Sequence, residues 1–348
     1  MHLGIPRETK TLEGRVGLVP AACEQLVRDG HTLLVENSAG TLSGYHDQDY
    51  ERVGARIVDR ATLFANAQLI IKVKEPQPEE IPLIRDNHLL FCFLHLAALP
   101  QLQQQLIDSG CTAVAFETVI DNHRLPVLAP MSEIAGKLAI QYGSTLLHHP
   151  AGGRGLLIGG MGATERGRVV ILGGGNAGGS AAFLAAAMGA NVTLFDIDSE
   201  RLRYFHHHAA NITAEYAYPD AIAEAVETAD LVVGAVLQPG LAAPKIITRQ
   251  MVEGMPEGSV LVDIAVDQGG CSVTTRPTSY AEPTYQVAGV THFCVNNMPG
   301  AVPRSASQAL SAALIPYVRK LARDDWRSAS PALAGAINVD KGELKLGS

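Results

Sequence analysis

The stretch VVILGGGNAGGSAAFLAAAMGANVTLFDID, residues 169–198, decides the fold, because residues 169–195 carry no formal charge and read either as a membrane span or as strand, turn and helix. About 20 apolar residues suffice to cross a bilayer. Glycines at 173, 174, 175, 178 and 179, with Asn176 among them, would break such a span near its front. The alternative is a strand over 169–172, a glycine turn over 173–175, a helix over 176–188 and a second strand over 191–195. That is half of a βαβ unit, opening with G-x-G-x-x-G at Gly173, Gly175 and Gly178. Gly173 suits a tight turn, Gly175 lets the backbone approach a pyrophosphate, and Gly178 allows close helix-to-strand packing. The helix N-terminus then offers free N–H groups to phosphates. Asp196 ends the second strand, where a carboxylate holds ribose hydroxyls and favours NAD over NADP. The competing reading is a glycine-rich connection inside a core.

Composition narrows the field. A chain of 348 residues suggests two domains, and 47% hydrophobic with 18% charged residues is an ordinary globular balance. A net charge of -8 with no basic run argues against nucleic acid or an anionic membrane as partner. Five cysteines, Cys23, Cys92, Cys111, Cys271 and Cys294, lie in mostly apolar contexts without a C-x-x-C pair, as reduced core residues of a cytoplasmic protein do. The first sixteen residues, MHLGIPRETKTLEGRV, turn polar too soon for a signal peptide.

Before residue 129, short β-rich runs (HLGI, HTLLVE, AQLIIKVKEP, HLLFCFLHL) alternate with helical ones such as PAACEQLVRDG, the pattern of a parallel sheet. After Pro130 a long connecting helix follows, with Ser132 as its cap. Further βα units come at ADLVVGAV and GSVLVDIAVD. Near the end, Leu310, Ala313, Leu314, Tyr317, Val318 and Leu321 fall at helical spacing behind Ser305 and Ser307, in a helix that returns the chain to its first domain. The expected fold is α/β, with two doubly wound Rossmann-like domains joined by long helices. A discontinuous substrate domain takes residues 1–129 plus 306–348, and a nucleotide domain residues 130–305.

Ligands in such sheets sit beyond the C-terminal strand ends, which selects polar candidates. Lys74 follows the run IIKVKEP and Arg15 stands in LEGRVGLVP; either cation suits an anionic substrate, although composition alone reads both as solvated surface residues. His95, a lone histidine on the apolar strand LLFCFLHL, suits proton transfer near neutral pH or a satisfied place in the core. Asp267 follows the strand around Asp263 and suits either the nicotinamide end of the cleft or a turn-capping role, and Asn296, Asn297 and Met298 follow another short strand, where an amide suits orienting ligand or cofactor. The triplet His206, His207 and His208 points in different directions on a helix, so no metal site is expected.

Taken together these segments resemble the alanine dehydrogenases, which share ancestry with the NAD-binding part of pyridine nucleotide transhydrogenase. GIPRETK, EGRV, KVKEP, FLHLAA, APMSE, GGRG, the glycine fingerprint, GAVLQPGLAAPK, VDIAVDQGG, RPT and NMPGAVPR follow the family's order along nearly the whole chain. The resemblance implies NAD as cofactor, L-alanine or pyruvate and ammonium as small-molecule substrates, and a homohexamer. It casts Arg15, Lys74 and Asn297 as substrate ligands, His95 as the catalytic acid/base and Asp267 as the catalytic acidic partner beside the nicotinamide. Ser132, Gly173, Gly175, Asn176, Ala177, Gly178, Asp196, Arg201, Val236, Leu237, Asp267 and Met298 become nucleotide contacts. Ala217 and Tyr218 stand where relatives often carry serines near the adenine, and the family's longer tail has no counterpart after Ser348. Three alternatives stay open: a dehydrogenase for another amino acid (L-serine, lysine or saccharopine type), a transhydrogenase-like NAD(H)-binding protein, and a non-catalytic nucleotide-binding relative.

Overall fold

A computed structural model describes residues 1–236 and 242–345. The chain divides into two compact units, residues 1–131 with 300–348 and residues 132–299. In the first unit the described strands are β1 (His2–Ile5), β2 (Thr32–Glu36), β3 (Arg56–Val58), β4 (Leu69–Ile71), β5 (Leu89–Cys92) and β6 (Thr112–Ala115), with β14 (Ile337–Asp340) and β15 (Glu343–Leu344) from the returning segment. In the second they are β7 (Arg168–Leu172), β8 (Asn191–Asp196), β9 (Ile212–Tyr216), β10 (Leu231–Gly234), β11 (Val260–Asp263), β12 (Thr284–Val287) and β13 (Val290–Phe293).

The first sheet runs β15-β14-β6-β5-β4-β1-β2-β3 and is parallel from β6 to β3, with β14 antiparallel to both its neighbours. All residues of β4 and β5 are buried, as expected where both faces of a parallel sheet are covered. The returning helix Pro303–Leu321 locks onto the N-terminal segment through two buried hydroxyls. Ser307 Oγ accepts from Val16 N at 3.0 Å and Ser311 Oγ from Val19 N at 2.9 Å. This helix begins at Pro303, ahead of the Ser305 and Ser307 entry read from the sequence, because proline at the first turn gives up no needed N–H.

The second sheet runs β12-β13-β11-β10-β7-β8-β9, parallel except for β12. From β7 the chain steps outward through β8 to β9, then crosses to β10 on the other side, so the strand order reverses at the C-terminal ends of β7 and β10. A crevice at such a reversal is where open α/β sheets bind ligands. Ser132 is not the cap of the connecting helix: that helix spans Ala129–Leu146, with Pro130 in its first turn and Ser132 inside it. One turn further, Gly136 packs so closely on Ala177 that a Cβ would collide with its carbonyl, and a Cβ on Gly143 would meet the Leu231 side chain at 2.7 Å.

All five cysteines are unpaired and buried. Among the described residues no helix is long and apolar enough to cross a membrane, and no cluster of His, Cys, Asp or Glu has the makings of a metal site.

Candidate active site

The glycine turn is built by its residues one at a time. Gly173 has φ +96°, a left-handed conformation that favours glycine, and its N–H bonds to Phe195 O at 2.8 Å. Gly175 caps the helix Asn176–Ala187 without a side-chain acceptor, so the first-turn N–H groups of Asn176 and Ala177 stay available to an anion. No atom lies within 4 Å of where a Gly175 Cβ would stand, whereas a Cβ on Gly178 would run into the Gly173 carbonyl. One glycine keeps space open and the other closes the packing. This cradle fits a dinucleotide's pyrophosphate.

Asp196, 6% exposed at the end of β8, accepts Gly174 N at 2.5 Å on Oδ2 and Asp198 N at 2.8 Å on Oδ1. Arg201 reaches within 3.6 Å of the same carboxylate. The carboxylate therefore ties the phosphate loop to the end of the second strand, where a ribose diol would meet it. Ile197, Tyr216 and Tyr218 are exposed alongside, the two tyrosine rings 4.8 Å apart. Val236 follows β10, and its amide nitrogen stands 3.2 Å from the place of a Gly173 Cβ. Leu237 lies outside the described residues. Ser132 sits one turn before Gly136, on the helix face that packs against Ala177. Asp267 is exposed in the short turn Ile264–Gln268 after β11, and Asn297 adopts φ +62° after β13. Met298 is buried, and its carbonyl accepts the Tyr280 hydroxyl at 2.8 Å.

In the first unit the structure overturns the surface reading of Arg15. Its side chain is 2% exposed and grips Glu13 bidentately, Nε to Oε1 at 2.7 Å and Nη2 to Oε2 at 2.6 Å, while Nη1 meets Met131 Sδ at 3.3 Å. The buried fork is satisfied by its near neighbour in sequence. Lys74 is half-buried beyond the end of β4. Burial first, then the nearby charges of Arg15 and Lys10, push its ammonium below the ordinary lysine pKa.

His95 is not on a strand, as the sequence suggests. β5 ends at Cys92, and His95 stands three residues further at φ +48°, its side chain 47% exposed. Glu117, beyond the end of β6, explains the turn. Its carboxylate accepts His95 N at 2.7 Å and Leu94 N at 3.2 Å, and lies 3.8 Å from His95 Nδ1. Sequence reasoning misses Glu117. The available signal is an acidic residue just past the apolar strand CTAVAF, on the strand that pairs with β5.

A Rossmann unit with an open glycine turn at a helix N-terminus and a buried carboxylate ending its second strand, in one chain with a parallel α/β unit carrying arginine, lysine and histidine after its strands, defines a pyridine-nucleotide-dependent oxidoreductase. The chain belongs to the alanine dehydrogenase/PNT family: the family's N-terminal domain matches residues 4–135 and its C-terminal domain residues 139–346. It is 45% identical to the alanine dehydrogenase of Halomonas elongata, covering 99% of this chain and 94% of that one. It is 43% identical to the alanine dehydrogenase of Bacillus subtilis, covering 99% and 92%. A solved L-alanine dehydrogenase superposes with a TM-score of 0.95 at 46% identity, covering 99% and 96%. A transhydrogenase from Sinorhizobium meliloti shares the fold at a TM-score of 0.88 and 22% identity, covering 99% and 100%.

Proposed function

We propose that this protein is an NAD-dependent L-alanine dehydrogenase, with residues 1–129 plus 306–348 as its substrate domain and 130–305 as its nucleotide domain. The observation that carries this reading is Arg15, Lys74 and His95 past the strand ends of one unit, accompanied by full-length similarity to enzymes named for this reaction. Bound NAD would supply the hydride acceptor for an overall reaction in which L-alanine, water and NAD become pyruvate, ammonium, NADH and one proton.

The chain's own groups do the rest. Arg15 and Lys74 are assigned the substrate carboxylate and carbonyl oxygen, and Asn297 a substrate-binding role of its own. Water adds to the iminium carbon of the oxidised substrate, and His95 carries the proton. Its Nδ1 lies toward Glu117, which leaves Nε2 as the transferring atom. Asp267 supplies the acidic partner beside the nicotinamide. Ser132, Asn176, Ala177, Val236 and Met298 line the nucleotide, with Arg201 beside the ribose carboxylate. Five unpaired thiols support a reducing, cytoplasmic setting, and the resemblance supports a homohexamer.

The deciding assay follows NADH oxidation with pyruvate plus ammonium and with a panel of other 2-oxo acids. Fastest ammonium-dependent turnover with pyruvate is expected; a preference for the 2-oxo acid of a larger amino acid would replace the substrate assignment. The same assay reads Lys74. Its ammonium is present below the folded-state pKa and lost as pH rises through it. Because that pKa is depressed, the KM for pyruvate should climb at a pH below the ordinary lysine value of about 10.4. A flat alkaline limb would remove Lys74 from substrate binding.

Asp196→Ser is expected to weaken NADH binding by about 10–100-fold, the worth of hydrogen bonds to a charged group. It should weaken NADPH far less, since the carboxylate that would repel a 2′-phosphate is gone. Kd values for both nucleotides by fluorescence titration check this, and an unchanged NADH-to-NADPH ratio would refute the ribose role.

A further inference from the structure

The first lysine of KVKEP, Lys72, has no part in the reading above, yet it is more deeply buried than Lys74. Lys72 is 1% exposed, and its Nζ lies 3.1 Å from Glu8 Oε2 and 3.2 Å from Glu80 Oε2, both carboxylate side chains being buried as well. The three charges surround a segment, residues 72–77, that forms neither helix nor strand. Buried backbone groups in such a segment need partners from elsewhere. Here the triad provides them. Glu8 Oε1 accepts Val73 N at 2.6 Å and Glu8 Oε2 accepts Lys74 N at 3.3 Å. Lys72 Nζ donates to Lys74 O at 3.0 Å and to Glu75 O at 3.4 Å, and Glu80 Oε2 accepts Gln77 N at 2.7 Å. Both backbone polar groups of Lys74 are thus held by buried charges. Val73 O in turn accepts Phe93 N at 3.0 Å, two residues before His95.

The attraction among the three charges is by itself a poor source of stability. Desolvating three charges costs about as much as their attraction returns, and apolar replacements of buried ionic groups are often neutral or stabilising. Two carboxylates also face one ammonium, and Glu80 Oε1 has no hydrogen-bond partner among the described residues. Burial opposes the charge on Lys72, but Glu8 and Glu80 outweigh it and hold the lysine protonated. What the triad does achieve is a fixed place for one irregular segment.

We propose that Glu8, Lys72 and Glu80 are positioning residues, a buried ionic triad that fixes the backbone of Lys74 and thereby sets where the substrate-binding ammonium stands. The proposal rests on the reading that Lys74 binds substrate. The triad acts through Lys74 and touches no reacting atom.

The test separates positioning from folding. Lys72→Met, Lys72→Arg, Glu80→Gln and the all-apolar variant Glu8→Met/Lys72→Met/Glu80→Leu are compared with wild type in thermal melting, NADH affinity, and kcat and KM for pyruvate. A displaced reacting group costs up to about 100-fold. The expected result is that Lys72→Met and the apolar triple raise the pyruvate KM by about 10–100-fold with NADH affinity unchanged, while the triple also melts lower because Val73 N, Lys74 N and Gln77 N lose their buried acceptors. Lys72→Arg should recover part of the loss. If Lys72→Met does not fold, Glu80→Gln carries the same readout with a smaller rise. An apolar triple that folds and keeps the wild-type pyruvate KM overturns the triad's role.

A wild type silent toward every 2-oxo acid would defeat the proposed function and not the triad, which is then read without turnover. Trinitrobenzenesulfonate labelling, mapped by peptide mass, should change at Lys74 in the triple and stay constant at the exposed Lys345. Unchanged labelling at Lys74 would overturn the triad's role in that case as well.

Discussion

His95→Asn is expected to lower kcat for pyruvate plus ammonium by about 10²–10⁴-fold, the span of general acid–base catalysis, while NADH binds as in wild type. Asparagine is the informative replacement because position 95 sits at φ +48°, in the left-handed region that asparagine tolerates and most side chains avoid. Alanine would mix the loss of the imidazole with backbone strain. With asparagine, the backbone N–H groups of Leu94 and His95 keep the Glu117 carboxylate as acceptor, so the turn persists while its proton carrier is gone. The measurement pairs single-turnover NADH oxidation with a fluorescence Kd for NADH. Rates within about threefold of wild type would remove His95 from the chemistry, because a proton-transferring group cannot be worth so little.

The parts of this molecule that were legible beforehand are those where a local constraint maps onto a residue type. Gly173 and Gly178 could be read separately because a left-handed turn and a close helix contact each exclude a Cβ, and the geometry at both agrees, while at Gly175 it leaves open space. The strands of a buried parallel sheet show as uninterrupted apolar runs, as in Leu69–Ile71 and Leu89–Cys92. What escaped depends on pairings between distant segments. Glu117 meets the His95 turn only because β5 and β6 run in register, with Cys92 opposite Ala115. Glu8 and Lys72 are 64 positions apart, so nothing near either charge announces that both are buried. Arg15 is hard to read for a different reason: its partner Glu13 is only two residues away, but charges in a turn-like stretch normally signal solvent, and only the surrounding packing makes this pair an interior one. Ser132 looked like a cap because serine often is one; Pro130 had already opened the helix.

Two alanine substitutions three residues apart should fail for opposite reasons, and the contrast tests the nucleotide site without reference to turnover. At Gly175 the backbone has φ −71°, which alanine adopts freely, and a new Cβ meets no protein atom within 4 Å. Gly175→Ala is therefore expected to fold with a stability change within about 0.5 kcal/mol, typical of an open position. If the space is kept for a pyrophosphate, the methyl group occupies it, and NADH binding should weaken by about 100-fold, as when one group blocks the close approach of a charged ligand to backbone donors. At Gly178 the same methyl group would overlap the Gly173 carbonyl and come within 3.2 Å of Ile171 Cγ2. The helix must then move off β7, at an overpacking cost of about 1–3 kcal/mol. Gly178→Ala should lose NADH affinity and also melt lower, by roughly 2–4 °C for each kcal/mol in a unit of this size. Melting curves with and without NADH separate the two. The decisive result is Gly175→Ala keeping the wild-type melting temperature but losing the upward shift that NADH confers, since a ligand raises stability only by binding the folded state. A full NADH-induced shift in Gly175→Ala would mean that the open space above residue 175 is not where the phosphates lie.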